Sequence, residues 1–198
     1  MKRNIILKLC VFLSTLYSIS SQAQDGFKIK PLGRIYILHA IQQGDNALAD
    51  AYSSKIGFGG QFFLPKYKNF RLGFGGDYVP YKVEKENMIG TIGSSYYYSV
   101  YGLLSYDIII TENFNLSPVI GYGNSTLSLR SNTRKIDPQN GNEFRIGLYS
   151  DYTFSPHIAG FVGLYYISNR FTINTHPDYE DYFGKSNSIQ LSLGLKFF

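Results

Sequence analysis

Two similar segments of the sequence each carry one Arg and one Asp, and these are the residues whose types and spacing could do chemistry. The first segment is FRLGFGGDY at 70–78, and the second is FRIGLYSDY at 144–152. In both, the Arg and the Asp stand six residues apart in a run that is otherwise mainly apolar or small. Because a buried charge is costly unless it is paired, these side chains indicate either a charged site or an internal ion-pair network.

The elements that must position these charges are β-strands, because apolar and polar residues alternate along them with a period of two. In the C-terminal segment, apolar side chains at 189, 191, 193, 195 and 197 alternate mainly with polar or small ones. We predict eight such strands, at 28–41, 54–64, 70–81, 95–107, 114–128, 143–154, 158–172 and 187–198. Short turns between them alternate with long polar loops at 42–53, 82–94, 129–142 and 173–186. This order predicts an antiparallel meander with its turns at one end and its loops at the other.

Residues 1–23 have the composition of a cleaved secretory signal. A basic start with Lys2 and Arg3 precedes an apolar stretch at 9–19, and small residues follow at 21–23. We therefore predict a signal peptide at 1–23 and one domain at 24–198. The only cysteine, Cys10, lies in the signal, so no internal disulfide is expected.

Three of the 19 basic residues also lie in this signal segment, so the net charge without it is about +2 rather than +5. So small an excess gives no electrostatic footprint for nucleic-acid binding. The chain also contains 18 Tyr, 15 Phe and 20 Gly. Aromatic residues favour strands, and glycine permits close packing between strands.

Alternation alone leaves two barrels open. A soluble lipocalin-like barrel would turn its apolar face inward, whereas a membrane barrel turns it outward against lipid. Glycines, serines and charges occupy the opposite face of the predicted strands, and aromatic residues crowd the strand ends. Both features favour the membrane barrel, so the predicted fold class is all-β, an eight-stranded antiparallel up-and-down transmembrane β-barrel.

The signal segment, the alternating strands and the aromatic ending LGLKFF at 193–198 together resemble the small OmpA/OmpX-like outer-membrane barrels of Gram-negative bacteria. The resemblance implies a location in the cell outer membrane, contact with outer-membrane lipid and lipopolysaccharide, and recognition of Phe197 and Phe198 by the outer-membrane assembly machinery. In that family the terminal aromatic residue usually shares the lipid-facing stripe. Here Phe197 does so, whereas Phe198 falls on the other face. Members include structural proteins, adhesins, narrow pores and lipid-modifying enzymes, so the resemblance does not select a function.

Strand parity directs Arg71, Asp77, Arg145 and Asp151 into the barrel. The two segments run in opposite directions, so Arg71 should lie near the level of Asp151, and Arg145 near that of Asp77. An eight-stranded barrel is just wide enough for its side chains to fill, so long residues can meet across it. We predict an interior ionic ladder, which Arg34 and Asp107, and also Lys55 and Gln61, can join. The alternative is a gated pore or a bound anion.

The evidence for catalysis in the sequence is weak. The histidines are His39, His157 and His176, and no serine follows any of them at two-residue spacing. A lipid A deacylase or acyltransferase would need a His, Ser and acidic constellation assembled in space. We expect no enzyme activity, no cofactor and no metal.

The long loops are the remaining place for binding, since exposed loops on a rigid scaffold commonly carry it. Basic residues occur in the third loop and acidic ones in the fourth: Arg130, Arg134 and Lys135, and Asp178, Glu180 and Asp181. One interpretation is that these residues contact lipopolysaccharide phosphates, divalent cations or a ligand on another cell. The simpler interpretation is that they are ordinary charged residues exposed to solvent. We predict a monomer with a structural or surface-interaction role, and as alternatives a narrow pore for small solutes or a lipid A-modifying enzyme.

Overall fold

The computed structural model describes residues 27–85, 94–130, 137–173 and 175–198. The predicted signal segment lies outside the described residues. Within them, ten strands and two helices follow one another along the chain: β1 (Phe27–Gln43), α1 (Ala47–Ala51), β2 (Tyr52–Ser54), β3 (Gly57–Tyr67), β4 (Phe70–Val83), β5 (Ser94–Tyr106), β6 (Ile108–Ile109), β7 (Phe114–Arg130), β8 (Gln139–Ser155), β9 (Ile158–Thr172), α2 (Pro177–Gly184) and β10 (Lys185–Phe197).

Eight of the described strands form a closed barrel, and β2 and β6 are short additions to its edges. Each barrel strand pairs with the next in the order β1, β3, β4, β5, β7, β8, β9 and β10, and all pairs are antiparallel. The ring closes where β10 pairs with β1, from Gly33 opposite Phe197 to Gln43 opposite Asn187. The predicted antiparallel eight-stranded barrel is confirmed.

The two faces of the wall differ in the way the alternation predicts. Large apolar side chains such as Ile37, Phe74 and Leu193 are exposed on the outer face. Aromatic rings pair on this face near both ends of the strands. Phe58 lies 5.0 Å from Tyr78, ring to ring, toward the long loops, and Phe70 lies 4.8 Å from Tyr106 near the short turns. An apolar outer band with aromatic residues at its edges is typical of barrels that face lipid.

The interior is filled with side chains and is layered. Aliphatic and aromatic residues close the end near the long loops, where Val79, Tyr81 and Leu127 pack with Leu48 of α1. Charged and tyrosine side chains fill the middle, and a second charged group lies near the short turns. The charged side chains are tolerated here because they find partners across the barrel, whereas the buried hydroxyls of Ser95 and Ser125 have no hydrogen-bond partner among the described residues.

The predicted long loops contain structure that the alternation did not indicate. Residues 47–51 form α1, whose N-cap Asn46 accepts a hydrogen bond from the Ala49 N–H at 3.0 Å. Residues 177–184 form α2, which begins with Pro177. Tyr182 of α2 donates a hydrogen bond to the Asp50 carboxylate of α1 at 2.9 Å, so the two helices meet above the barrel. Among the described residues, no helix is long and apolar enough to cross a membrane.

Candidate functional site

The doubled segment forms β4 and β8, whose pleat turns each of its four charges into the barrel. Arg145 and Asp151 are fully buried, and Arg71 and Asp77 are nearly so. Arg145 Nη1 lies 3.0 Å from Asp77 Oδ2 across the interior, so these two residues meet at one level. Arg71 and Asp151 both lie near the short turns, but each pairs with a different residue.

Asp77 is the centre of the middle layer. Its Oδ1 accepts hydrogen bonds from the hydroxyls of Tyr36 at 2.6 Å and Tyr101 at 3.0 Å. Its Oδ2 accepts from Arg145 and, at 3.2 Å, from Gln190 Nε2. Four donors from four strands therefore converge on one carboxylate, and these charge-assisted and neutral hydrogen bonds fix it in place.

Arg145 is neutralised by a second carboxylate, that of Glu143 on the same strand and the same face. Tyr97 donates to the other oxygen of Glu143 and also lies 3.0 Å from Asn169 Oδ1. The Arg145 guanidinium carbon lies 3.3 Å from the centre of the Tyr101 ring, an arrangement that adds a cation–π contact. Arg145 is thus enclosed by two acids and one aromatic face.

Gln61 connects the middle layer to the aromatic residues beneath it. Its amide oxygen accepts from the Tyr149 hydroxyl, and its amide nitrogen lies 3.4 Å from the Tyr165 hydroxyl. Gln61 therefore joins the network as anticipated. Lys55 does not, because it lies exposed between β2 and β3.

Asp151 forms the first ion cluster of the end near the short turns. Arg34 Nη2 lies 3.0 Å from Asp151 Oδ2, and Lys196 Nζ lies 2.9 Å from the same oxygen. The Arg34 guanidinium also stacks 3.6 Å above the Tyr149 ring. This cluster holds two cations for one anion.

Asp107 forms the second ion cluster and takes the place expected for Asp151 as the acid beside Arg71. Arg71 Nε lies 2.8 Å and Lys66 Nζ lies 3.2 Å from Asp107 Oδ2. Asp107 lies between β5 and β6, at the same end as Arg71 near the start of β4, so it reaches the guanidinium without crossing the barrel. Again two cations share one carboxylate.

Sequence reasoning missed several members of the network. Glu143, Tyr36, Tyr149 and Lys196 are not among the predicted site residues. The first three share a strand and the inward parity with a predicted charged residue, and Lys196 lies on the polar face of the last strand. Glu143 stands two residues from Arg145, and Tyr36 stands two residues from Arg34. Strand parity was the signal that could have found them.

The charged loop residues are only partly covered by the structure. Arg130 ends β7, and its guanidinium lies 5.5 Å from the Tyr96 ring. Arg134 and Lys135 lie outside the described residues. Three acidic residues are exposed on α2: Asp178, Glu180 and Asp181.

Two of these acids, Asp178 and Asp181, pair with neighbouring basic residues. Lys185 Nζ lies 2.6 Å from Asp181 Oδ2, and His176 Nδ1 lies 3.3 Å from Asp178 Oδ2. In the part of the chain that the structure describes, no group of three His, Cys, Asp or Glu residues is placed to hold a metal ion.

One histidine does meet a serine. His39 Nδ1 lies 3.0 Å from Ser54 Oγ on the outer face, near the long loops. However, the Ser54 hydroxyl donates to the Ala40 carbonyl at 2.5 Å and accepts from the Ala40 N–H at 3.2 Å. Its proton is therefore directed at the backbone and not at the imidazole, which favours a structural role in holding β2 against β1.

The C-terminal aromatic residues lie at the short-turn end. Phe197 is the last residue of β10 and faces outward, in line with the apolar stripe. Phe198 follows the strand, and its N–H donates to the His157 carbonyl at 3.1 Å. The Lys196 ammonium lies 4.9 Å from the Phe198 ring.

Comparison with known proteins identifies the fold and nothing finer. No family model matches the chain, and no curated protein matches it. Among solved structures, Neisserial surface protein A superposes with a TM-score of 0.57 at 18% identity, over 87% of this chain and 99% of that one. OprG of Pseudomonas aeruginosa gives 0.57 at 14% identity, over 87% and 95%.

A third similar structure is Ail of Yersinia pestis, the attachment invasion locus protein, in complex with the heparin analogue sucrose octasulfate. It superposes with a TM-score of 0.51 at 15% identity, over 87% of this chain and 99% of that one. The fold of this chain is therefore that of the small eight-stranded outer-membrane β-barrels.

Proposed function

We propose that the chain is an outer-membrane β-barrel whose role is structural or interactive at the cell surface and does not depend on conduction through its interior. The observation that carries this proposal is the filled interior. Arg145 and Asp77 bridge the middle of the barrel, and the tyrosines and Gln61 fill the space around them. Eight-stranded barrels are narrow enough for side chains to fill, and here they do.

The outer face supports the location. Its exposed apolar side chains lie on every barrel strand, between aromatic residues near the two strand ends. Exposing such a surface to water would cost roughly 25 cal/mol for each Å². A lipid environment removes that cost.

Both alternatives from the sequence stay open to experiment. A narrow pore would require a continuous water path past Asp77 and Arg145, and their ion pair across the interior argues against one. A lipid A-modifying enzyme would require an activated nucleophile, and the hydrogen bonds of Ser54 do not supply it. Mass spectrometry of lipid A with and without the gene tests the enzyme directly, and altered acylation would favour it.

The test of class and location combines two measurements on the whole chain. We expect the protein to fractionate with the outer membrane and to migrate differently on SDS gels before and after boiling. The physical reason is that a closed barrel resists SDS until heat opens its hydrogen-bonded ring. A soluble fraction together with unchanged migration would contradict the proposal.

A further inference from the structure

The mouth of the barrel near the short turns carries a row of positive side chains on neighbouring strands. Lys28 of β1 stands directly opposite Lys66 of β3, and Lys66 stands directly opposite Arg71 of β4. Like charges directly opposite each other in a sheet are destabilising. A row of three such residues therefore favours an anion from outside the chain.

Only part of this charge is neutralised internally. Asp107 is shared by Arg71 at 2.8 Å and Lys66 at 3.2 Å, and Lys30 adds another cation at the same edge. Within the described residues, no ion pair involves Lys28 or Lys30. The Lys66 side chain is 21% exposed, so solvent reaches part of it.

A cavity lies beside these charges, where the pairing of the neighbouring strands is irregular. The register between β1 and β3 shifts between Ile29 and Leu32, and that between β3 and β4 shifts between Phe63 and Lys66. Such irregularities bend a strand and re-aim its side chains. Here the backbone carbonyl of Lys30 accepts a hydrogen bond from Arg71 Nη1 at 3.3 Å, which fixes the guanidinium at the opening.

The cavity has a volume of 440 Å³ and two kinds of wall. Lys30, Lys66 and Arg71 form its charged side. Ile29, Pro31 and Phe198 belong to its apolar side, and Ile29 and Phe198 are themselves exposed. A cavity of this size is within the range that small-molecule sites occupy.

We infer that this cavity binds the phosphodiester of an anionic phospholipid from the membrane leaflet beside the short turns. Lys66 and Lys30 supply ammonium donors, and Arg71 supplies a planar guanidinium donor. Ammonium and guanidinium groups both bind phosphate oxygens well. The apolar wall favours a lipid over a free anion, because a free anion gains nothing from Ile29 or Phe198. This inference rests on the proposed function, which places this end of the barrel at a membrane surface.

The experiment uses the full chain refolded in an uncharged detergent, with binding followed by native mass spectrometry. The probe is dihexanoyl phosphatidylglycerol, with dihexanoyl phosphatidylcholine and inorganic phosphate as comparisons. The test variant is the double substitution K30Q/K66Q. The matched control is K55Q/K82Q, which removes the same charge from two lysines near the long loops.

We expect the wild type and K55Q/K82Q to bind phosphatidylglycerol equally. We expect K30Q/K66Q to bind it more than about tenfold more weakly, because two ammonium donors are removed and the loss of one charge-assisted hydrogen bond alone costs about tenfold. Phosphatidylcholine should bind more weakly than phosphatidylglycerol, and inorganic phosphate should not displace the lipid at equal concentration. Equal binding by K30Q/K66Q and wild type would overturn the inference. Displacement by inorganic phosphate would assign the site to free anions and overturn the lipid assignment.

Heat-dependent migration on SDS gels separates this inference from the proposed function. If the wild type migrates as a folded barrel and yet K30Q/K66Q binds lipid normally, only the lipid site is wrong. If K30Q/K66Q does not fold, the single variant K30Q decides, since the Lys30 ammonium forms no ion pair in the described structure. We expect K30Q to fold and to bind phosphatidylglycerol more weakly than wild type, and unchanged binding would overturn the inference.

Discussion

At the scale of single residues, the structure depends on buried charges that have been neutralised across the barrel. Arg145 is fully buried, and its charge is balanced by Asp77 at 3.0 Å and by Glu143. Removing one partner of a buried pair is costly because it leaves the other charge uncompensated. We therefore expect substitution of Arg145 to lower the free energy of unfolding more than substitution of any other charged residue.

We predict that Arg145→Met lowers the free energy of unfolding by about 3 kcal/mol or more, because Asp77 and Glu143 then stay buried without a cation. Urea unfolding of the protein refolded into lipid vesicles measures this. The matched control is Arg130→Met, which removes an Arg from the end of β7, where its guanidinium lies 5.5 Å from the Tyr96 ring. Adding Glu143→Gln to Arg145→Met should recover part of the loss, and equal stability of the two Arg variants would contradict the account.

Glycines on the two faces of the wall should respond differently to substitution. A Cβ on Gly121, which faces inward, would lie 2.7 Å from Leu103 Cδ2 and 2.9 Å from the Gly102 carbonyl oxygen. A Cβ on Gly60, which faces outward, would come no closer than 3.5 Å to a neighbour. We predict that Gly121→Ala costs about 1–3 kcal/mol and that Gly60→Ala is tolerated, by the same unfolding measurement. A larger loss at Gly60 would show that the assignment of faces is wrong.

Strand parity alone predicts the inward direction of the charged residues, because a side chain in a barrel wall points either into the barrel or out of it. Parity does not predict which charged residues form ion pairs with each other. Arg71 pairs with Asp107 and not with Asp151, because partner choice depends on the tilt of the strands and the reach of each side chain. Parity also directs tyrosines such as Tyr36 inward, but residue type does not mark them as members of a charged network, and only the structure shows which hydroxyls reach Asp77.

At the scale of elements, the strands followed from alternation, and the helices did not. Strand β9 has the bounds that were predicted, 158–172, and the others differ by up to four residues at an end. Helix α1 has five residues, too few to show helical periodicity, and it is stabilised by burying Leu48 over the barrel end. Helix α2 has local helix-start signals in Pro177 and the acidic residues of its first turn. Those signals are weak, because a cluster of charged residues is equally typical of an exposed loop.

The contact between the two helices is testable. The Tyr182 hydroxyl donates to Asp50 at 2.9 Å, and desolvation together with this carboxylate raises the pKa of Tyr182, so the hydroxyl stays protonated at neutral pH. We predict that Tyr182→Phe loses about 1 kcal/mol of local stability and increases amide hydrogen exchange in α1 and α2.

The barrel strands should keep their exchange rates in that variant, since the contact lies outside the wall. Tyr179→Phe, an exposed tyrosine on the same helix, serves as the control. Equal exchange in wild type and Tyr182→Phe would mean that the helices are held by Leu48 and its neighbours alone.

At the scale of the whole molecule, the barrel combines an apolar exterior with an interior whose charged side chains pair with one another. In the middle of the barrel, Asp77 and Glu143 share the cation Arg145. Near the short turns, Asp107 and Asp151 share four cations: Arg34, Lys66, Arg71 and Lys196. The interior is thus polarised along its axis while its middle is occupied by paired side chains.

The central claim is that this occupied interior does not conduct, and planar-bilayer recording tests it most directly. Protein that shows the heat-dependent migration of a folded barrel is inserted into the bilayer, and current is recorded across a range of voltages. The account predicts no defined conductance steps for the wild type, because Arg145, Asp77, Gln61 and the tyrosines fill the middle of the barrel. Reproducible unitary steps from the folded wild-type protein would contradict it.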